Sequence, residues 1–160
     1  MKTIVIGLGN PILGDDGVGW VVAGEVKACL EKSSSNVEVD CLALGGLNLM
    51  ERMIGFRQVI LVDSLNTGQR EQGAVVTFSL DELGDLTYGH SSAAHDASIK
   101  TALEMGRKLN AILPADKDVH VVAIEAQHIY DFKEELSPSI AAAVPVAVRQ
   151  ILDLLKELDP

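Results

Sequence analysis

Five short aliphatic, β-branched runs punctuate the chain, and stretches with helical periodicity fill most of the gaps between them. This alternation limits the fold more than any other feature, because strands separated by helices pair in parallel, with the helices on the two sheet faces. The strands read as Thr3–Gly7, Val37–Leu42, Val59–Val62, Ala74–Ser79 and Val119–Ile124. Val18, Val21, Val22, Val26, Cys29 and Leu30 recur at helical spacing and predict a helix over about 16–32. A short helix is expected within Gly46–Gly55, a long one over Ser92–Leu113 stopped by Pro114, and a last one over Ser137–Leu158 with Ser137 as N-cap and Pro138 in the first turn. The turn "NTGQREQG" before the fourth strand is too short for a parallel crossover, so that strand is expected to be antiparallel and at an edge. The expectation is one domain over 1–160, a three-layer α/β/α sandwich on a mostly parallel, mixed five-stranded sheet of the phosphorylase/hydrolase-like kind.

Charge and composition exclude several roles. The net charge is −10, and no basic cluster offers a footprint for a phosphate backbone, so nucleic-acid binding is not expected. No segment reads as a membrane span or a signal peptide, which points to a cytoplasmic protein without a membrane partner. Cys29 and Cys41 lack metal spacing and read as buried apolar fillers.

The opening stretch "IGLGNPILGDDGVGW" (6–20) places two adjacent aspartates straight after a glycine-rich turn. A dinucleotide fingerprint fails because its third glycine is Ile12. A Walker A loop fails because Asp-Asp-Gly stands where Gly-Lys-Ser/Thr is required. "GLGNP" resembles the start of peptidyl-tRNA hydrolases, but the continuation differs and the acidic charge opposes tRNA. One aspartate is explained as the cap of the following helix. The other suits a cation. Loops after strands one and three leave the sheet at the same edge and part where the strand order reverses. Asp16 follows strand one, Asp63 ends strand three, and His95 falls in the first turn of the long helix. Two carboxylates and an imidazole are a sound ligand set for a borderline divalent metal. Of the other histidines, His120 reads as structural, while His90 and His128 sit on loops near the crevice mouth. Trp20 and Tyr130 read as packing residues.

These residues resemble the hydrogenase maturation endopeptidases. The first stretch is similar to that family's Gly-x-Gly-Asn, spacer, Asp-Asp/Glu-Gly-x-Gly signature, "LVDS" (61–64) to its strand-end aspartate, "HDASIKTAL" (95–103) to its histidine-led helix, and "LSPSIAAAVPVAVRQILDLL" (136–155) to its final helix. The resemblance implies an endopeptidase that removes the C-terminal extension from the nickel-loaded precursor of the nickel-iron hydrogenase large subunit. It puts the metal contacts on Asp16, Asp63 and His95, with Asp16 where relatives often carry glutamate. Asp16 and Asp63 are also the candidates for an aspartic-type catalytic role, with Asp15 or Glu125 as a conceivable base. The metal is nickel supplied by the substrate, other divalent ions being able to substitute. Gly45 and Gly46 of "LGGLNLM" are expected to admit the substrate tail, and Glu125 of "AIEAQHIYDF" to contact it, although the proline many relatives carry there is missing. The partner is the precursor, and the chain acts as a monomer or weak oligomer. The alternative is a nickel-binding accessory or chaperone protein that cuts nothing.

Overall fold

The computed structural model describes residues 2–32, 36–43, 45–82 and 92–158, the side chains of 92–98 excepted. Strands β1 (Thr3–Leu8), β2 (Val37–Leu42), β3 (Gln58–Leu65), β4 (Val75–Ser79) and β5 (Val119–Glu125) form one sheet in the order β2-β1-β3-β5-β4. The β1–β2, β1–β3 and β3–β5 pairs are parallel, and β4 runs antiparallel to β5 at the edge. The strand order reverses direction at β1, leaving a switch point between the carboxyl ends of β1 and β3.

Alternation along each strand divides the core. Ile4 and Ile6 of β1, Val59 and Leu61 of β3, and Val121 of β5 face α2 (Leu47–Met53) and α3 (Ser92–Lys108). Val5, Ile60, Val62, Val122 and Ile124 face α1 (Val18–Leu30) and α4 (Pro138–Leu158). These interior residues are buried on both sheet faces, which is why the strands read as continuous apolar runs rather than as alternations.

Helix α1 lies unusually close to the sheet. A Cβ on Gly19 would overlap the carbonyl oxygens of Leu8 and Val62, and one on Gly7 would meet the Gly19 carbonyl and the Ala23 side chain. The α1 stripe is therefore Val18, Gly19, Val22, Ala23 and Val26, and Val21 and Cys29 fall off it to solvent. This corrects the expectation that both cysteines are buried, since Cys29 is exposed and Cys41 half-buried. Helix α3 stops at Lys108 rather than running to Leu113, because Asn110 takes φ 63° and Ala111 N–H turns back to the Gly106 carbonyl. Strand β3 is longer than expected, so Asp63 lies within it.

Among the described residues one helix, α4, is long and apolar enough to cross a bilayer, contrary to the sequence expectation of none. Its apolar stripe (Ile140, Val144, Ala147, Ile151, Leu155) is buried in the core.

Candidate functional site

The crevice at the switch point is built by register. Pairing of β3 with β1 ends at Gly7↔Val62, while pairing with β5 continues through Leu65↔Glu125. Asp63 is thus the first β3 residue past the end of β1 pairing, and its parity with Val59 and Leu61 puts it on the α2/α3 face. Its Oδ1 accepts the Ser64 N–H at 2.8 Å.

After β1 the chain swings over the sheet edge. Gly9 has φ 120°, and a Cβ there would overlap the Asp16 carbonyl oxygen, so the turn requires glycine. A 3-10 turn, Gly14–Gly17, then presents Asp16. Asp16 Oδ2 accepts the Asn10 N–H at 2.8 Å, and Oδ1 accepts the Ser64 hydroxyl at 3.2 Å. Ser64 therefore touches both carboxylates, one through its backbone and the other through its side chain. The sequence signal for it is its place directly after the strand aspartate.

Asp16 and Asp63 line one cavity of about 80 Å³. Its walls are otherwise Leu8, Leu42, Leu49, Leu61 and Ile99 with Gly9, Ala43 and Gly45, and among the described residues no lysine or arginine lines it. Two carboxylates facing an apolar space make a strong field for a positive ion. Ile99 comes from α3, one turn after position 95, so the first turns of α3 reach the crevice. The His95 side chain lies outside the described residues, as do His90 and Ser91 altogether. Among the described residues no group of three His, Cys, Asp or Glu is set to hold an ion.

Of the other described candidates, Gly45 alone lines the cavity. Asp15 is fully buried and accepts both the Ser137 N–H and the Ser137 hydroxyl at 2.7 Å. Neither aspartate caps α1, since no side-chain cap bond is made at the 3-10 turn or at α1. Glu125 is also fully buried, and its carboxylate accepts Thr67 N–H (2.8 Å), the Thr67 hydroxyl (2.9 Å) and Gly68 N–H (2.9 Å). The structure thus uses Glu125 to fix the turn after β3, and it is not among the cavity residues. Gly46, with φ 61°, starts α2, while Gly45 lines the cavity with open space where a Cβ would stand. His128 is exposed, pairs with Asp131 at 3.1 Å and does not line the cavity. His120 is half-buried, and that burial holds its imidazole below the usual range despite the nearby carboxylates of Asp118, Asp81 and Glu82. Tyr130, expected to pack, is 75% exposed.

At the outer edge Arg52 bonds Asp40 (2.6 Å) and Glu38 (3.1 Å) and stacks with Lys2 against Phe56. The hydrogen bond from Arg52 is the main reason Asp40 titrates below the ordinary carboxylate range. That ion pair braces α2 against β2 and keeps Arg52 occupied away from the crevice.

Fold and site together define an α/β protein with an acidic, apolar-walled crevice at a sheet switch point. The hydrogenase maturation protease family profile HycI matches residues 22–154. A protein from Methanocaldococcus jannaschii, provisionally named a hydrogenase maturation protease, is 32% identical over 162 residues, covering 96% of each chain. The structure is similar to the hydrogenase maturating endopeptidase HybD from E. coli (TM-score 0.77, 22% identity, 99% of this chain and 94% of that one). It is also similar to the nickel-iron hydrogenase maturation protease HybD from Thermococcus kodakarensis (TM-score 0.71, 25% identity, 96% and 99%). The chain belongs to the hydrogenase maturation protease family, whose members are peptide-bond hydrolases.

Proposed function

We propose that this protein cleaves the C-terminal extension from the precursor of a nickel-iron hydrogenase large subunit, in the cytoplasm, and that it reads the nickel already carried by that substrate. The observation that carries the reading is the convergence of Asp16 and Asp63 on one cavity that no lysine or arginine lines among the described residues. Carboxylate oxygens held by Asn10 N–H, Ser64 N–H and the Ser64 hydroxyl are pre-oriented, so they meet a cation without reorganising. His95 supplies the third ligand from the first turn of α3. The ion belongs to the substrate, and the chain's residues recognise it, seat the tail past Gly45 and hold the scissile bond for attack by water. Hydrolysis breaks the C–N bond and leaves a new carboxylate on the subunit and an amine on the released peptide.

The test mixes the purified protein with nickel-loaded and nickel-free precursor and follows subunit mass. Only the loaded form is expected to shorten, and Asp16→Asn or His95→Ala is expected to stop it. Equal trimming of both forms removes nickel recognition from the reading. Nickel transfer with no change of mass makes the protein an accessory chaperone instead.

A further inference from the structure

Two of the chain's few aromatic residues stand in water on a loop bonded to the segment that presents Asp16. Tyr130 is 75% exposed and Phe132 83%, both on the loop that follows β5, and Ile12 of the opening loop is 41% exposed. The other described aromatics, Trp20, Phe56 and Phe78, are buried or half-buried. An aromatic side chain carries roughly 150–250 Å² of surface for burial, so leaving two exposed on one short loop forgoes a large stabilisation. Clustered exposed apolar groups with a polar surround are characteristic of interaction sites.

The loop is held rather than loose. Gly14 N–H donates to the Lys133 carbonyl (2.7 Å), Lys133 N–H to the Ile12 carbonyl (3.1 Å) and Asp15 N–H to the His128 carbonyl (3.2 Å). The His128–Asp131 pair, 3.1 Å, closes it from within. The aromatic loop and the segment that presents Asp16 are therefore one stitched unit at the carboxyl edge of the sheet. Around the aromatics, Asp131, Glu134 and Glu135 are exposed, and Lys133 is the one basic residue between them.

We infer that Tyr130, Phe132 and Ile12 form a docking surface for the folded body of the precursor, which presents an apolar depression bordered by lysine or arginine and so delivers its C-terminal tail to the crevice that Asp16 of the bonded segment lines. The inference rests on the functional reading above and adds the body of the substrate to its tail. The backbone bonds to the segment that presents Asp16 select this occupant, and the acidic rim selects the sign of the partner's border. Pre-organisation of the loop limits the ordering cost of docking.

The experiment measures steady-state cleavage of the nickel-loaded, full-length precursor by wild type, by Tyr130→Ser/Phe132→Ser, and by Leu109→Ser/Ile112→Ser. The last pair is equally exposed, at 76% and 77%, but lies between α3 and β5, at the amino end of the strands. Loss of two anchoring aromatics is expected to raise KM at least about tenfold with kcat unchanged, the mark of lost ground-state docking. The control pair is expected to match wild type. Glu134→Lys/Glu135→Lys is expected to slow association, by a margin that shrinks as salt is raised. Melting curves on the same samples check that each variant is folded. If wild type cleaves and Tyr130→Ser/Phe132→Ser keeps the wild-type KM, the docking surface is overturned while the functional reading stands. If wild type neither binds nor cleaves the loaded precursor, both fall. A wild-type dimer in sedimentation that the aromatic variant dissociates assigns the patch to a second copy and overturns the inference.

Discussion

Removing the Asp15 carboxylate is expected to damage stability far more than any loss at Asp16. Asp15 is fully buried and receives two 2.7 Å hydrogen bonds from Ser137, which stands directly before the 21-residue helix α4. A hydrogen bond to a charged acceptor contributes about 1.5–3 kcal/mol, and an anion at a helix N-terminus gains a further ~0.3–1 kcal/mol from the helix dipole. Asp15→Ala removes both bonds and leaves the Ser137 N–H without its acceptor, so about 3–7 kcal/mol is expected. Against a total of about 5–15 kcal/mol, that is a large share, and for a chain of this size it lowers Tm by on the order of 10 °C. Urea unfolding followed by far-UV circular dichroism on Asp15→Ala, Ser137→Ala and the double variant gives both the loss and the coupling. Ser137→Ala keeps the backbone donor and is expected to cost about half as much. The coupling energy is expected near 2 kcal/mol, within the range for residues in direct contact. An Asp15→Ala midpoint equivalent to less than about 0.5 kcal/mol, or additive single effects, would refute the reasoning.

Three further outcomes follow from the same geometry. Ser64→Ala deletes the hydroxyl bonded to Asp16 Oδ1 at 3.2 Å; it is expected to reduce the rate on loaded precursor about 10–100-fold with about 1 kcal/mol of lost stability, and a wild-type rate would show that the hydroxyl positions nothing. Glu125→Gln leaves the Thr67 and Gly68 donors facing an uncharged amide and is expected to lower stability by about 2–4 kcal/mol with KM for the precursor unchanged; a raised KM in a fully stable variant would support the substrate contact expected of Glu125. His120 is held below its ordinary range by burial, so as pH falls through about 6.5 the unfolded chain takes up a proton that the folded chain refuses. Stability is therefore expected to be full above that pH and to decline below it, and His120→Gln is expected to flatten the decline in urea melts at pH 5.5 and 7.5.

The elements were largely legible because β-branched runs and glycine turns are local signals. The short "NTGQREQG" link was enough to make β4 an antiparallel edge strand, as it is. Boundaries failed where a tertiary or backbone detail decided them. Asn110 in a left-handed conformation ends α3 ahead of Pro114, and pairing with β5 prolongs β3 past Asp63. Sequence order plus the switch-point rule brought Asp16 and Asp63 to one crevice, since Asp16 follows β1 and Asp63 lies where β3 outruns its pairing with β1. The partners of the remaining acids could not be read in this way. Ser137 lies 122 residues from Asp15, and Thr67 lies 58 from Glu125; neither separation has a periodicity to betray it. Tyr130 failed for a different reason: an aromatic residue is a core residue by default, and only the loop's position shows it in solvent.

The aspartate doublet is explained by the turn that carries it. In a 3-10 turn three residues complete a revolution, so neighbouring side chains diverge by about 120°. Asp15 and Asp16 in Gly14–Gly17 therefore cannot both face the crevice. One enters the protein and bonds the start of α4, while the other meets Asn10, Ser64 and the cavity. The cap that sequence reasoning assigned to α1 is made instead to the last helix, and this ties the segment bearing Asp16 to a large buried element on the α1/α4 face. The carboxylate facing the cavity is thus positioned by its neighbour's burial, and so a glutamate or asparagine at position 15 is expected to disturb the crevice without touching it.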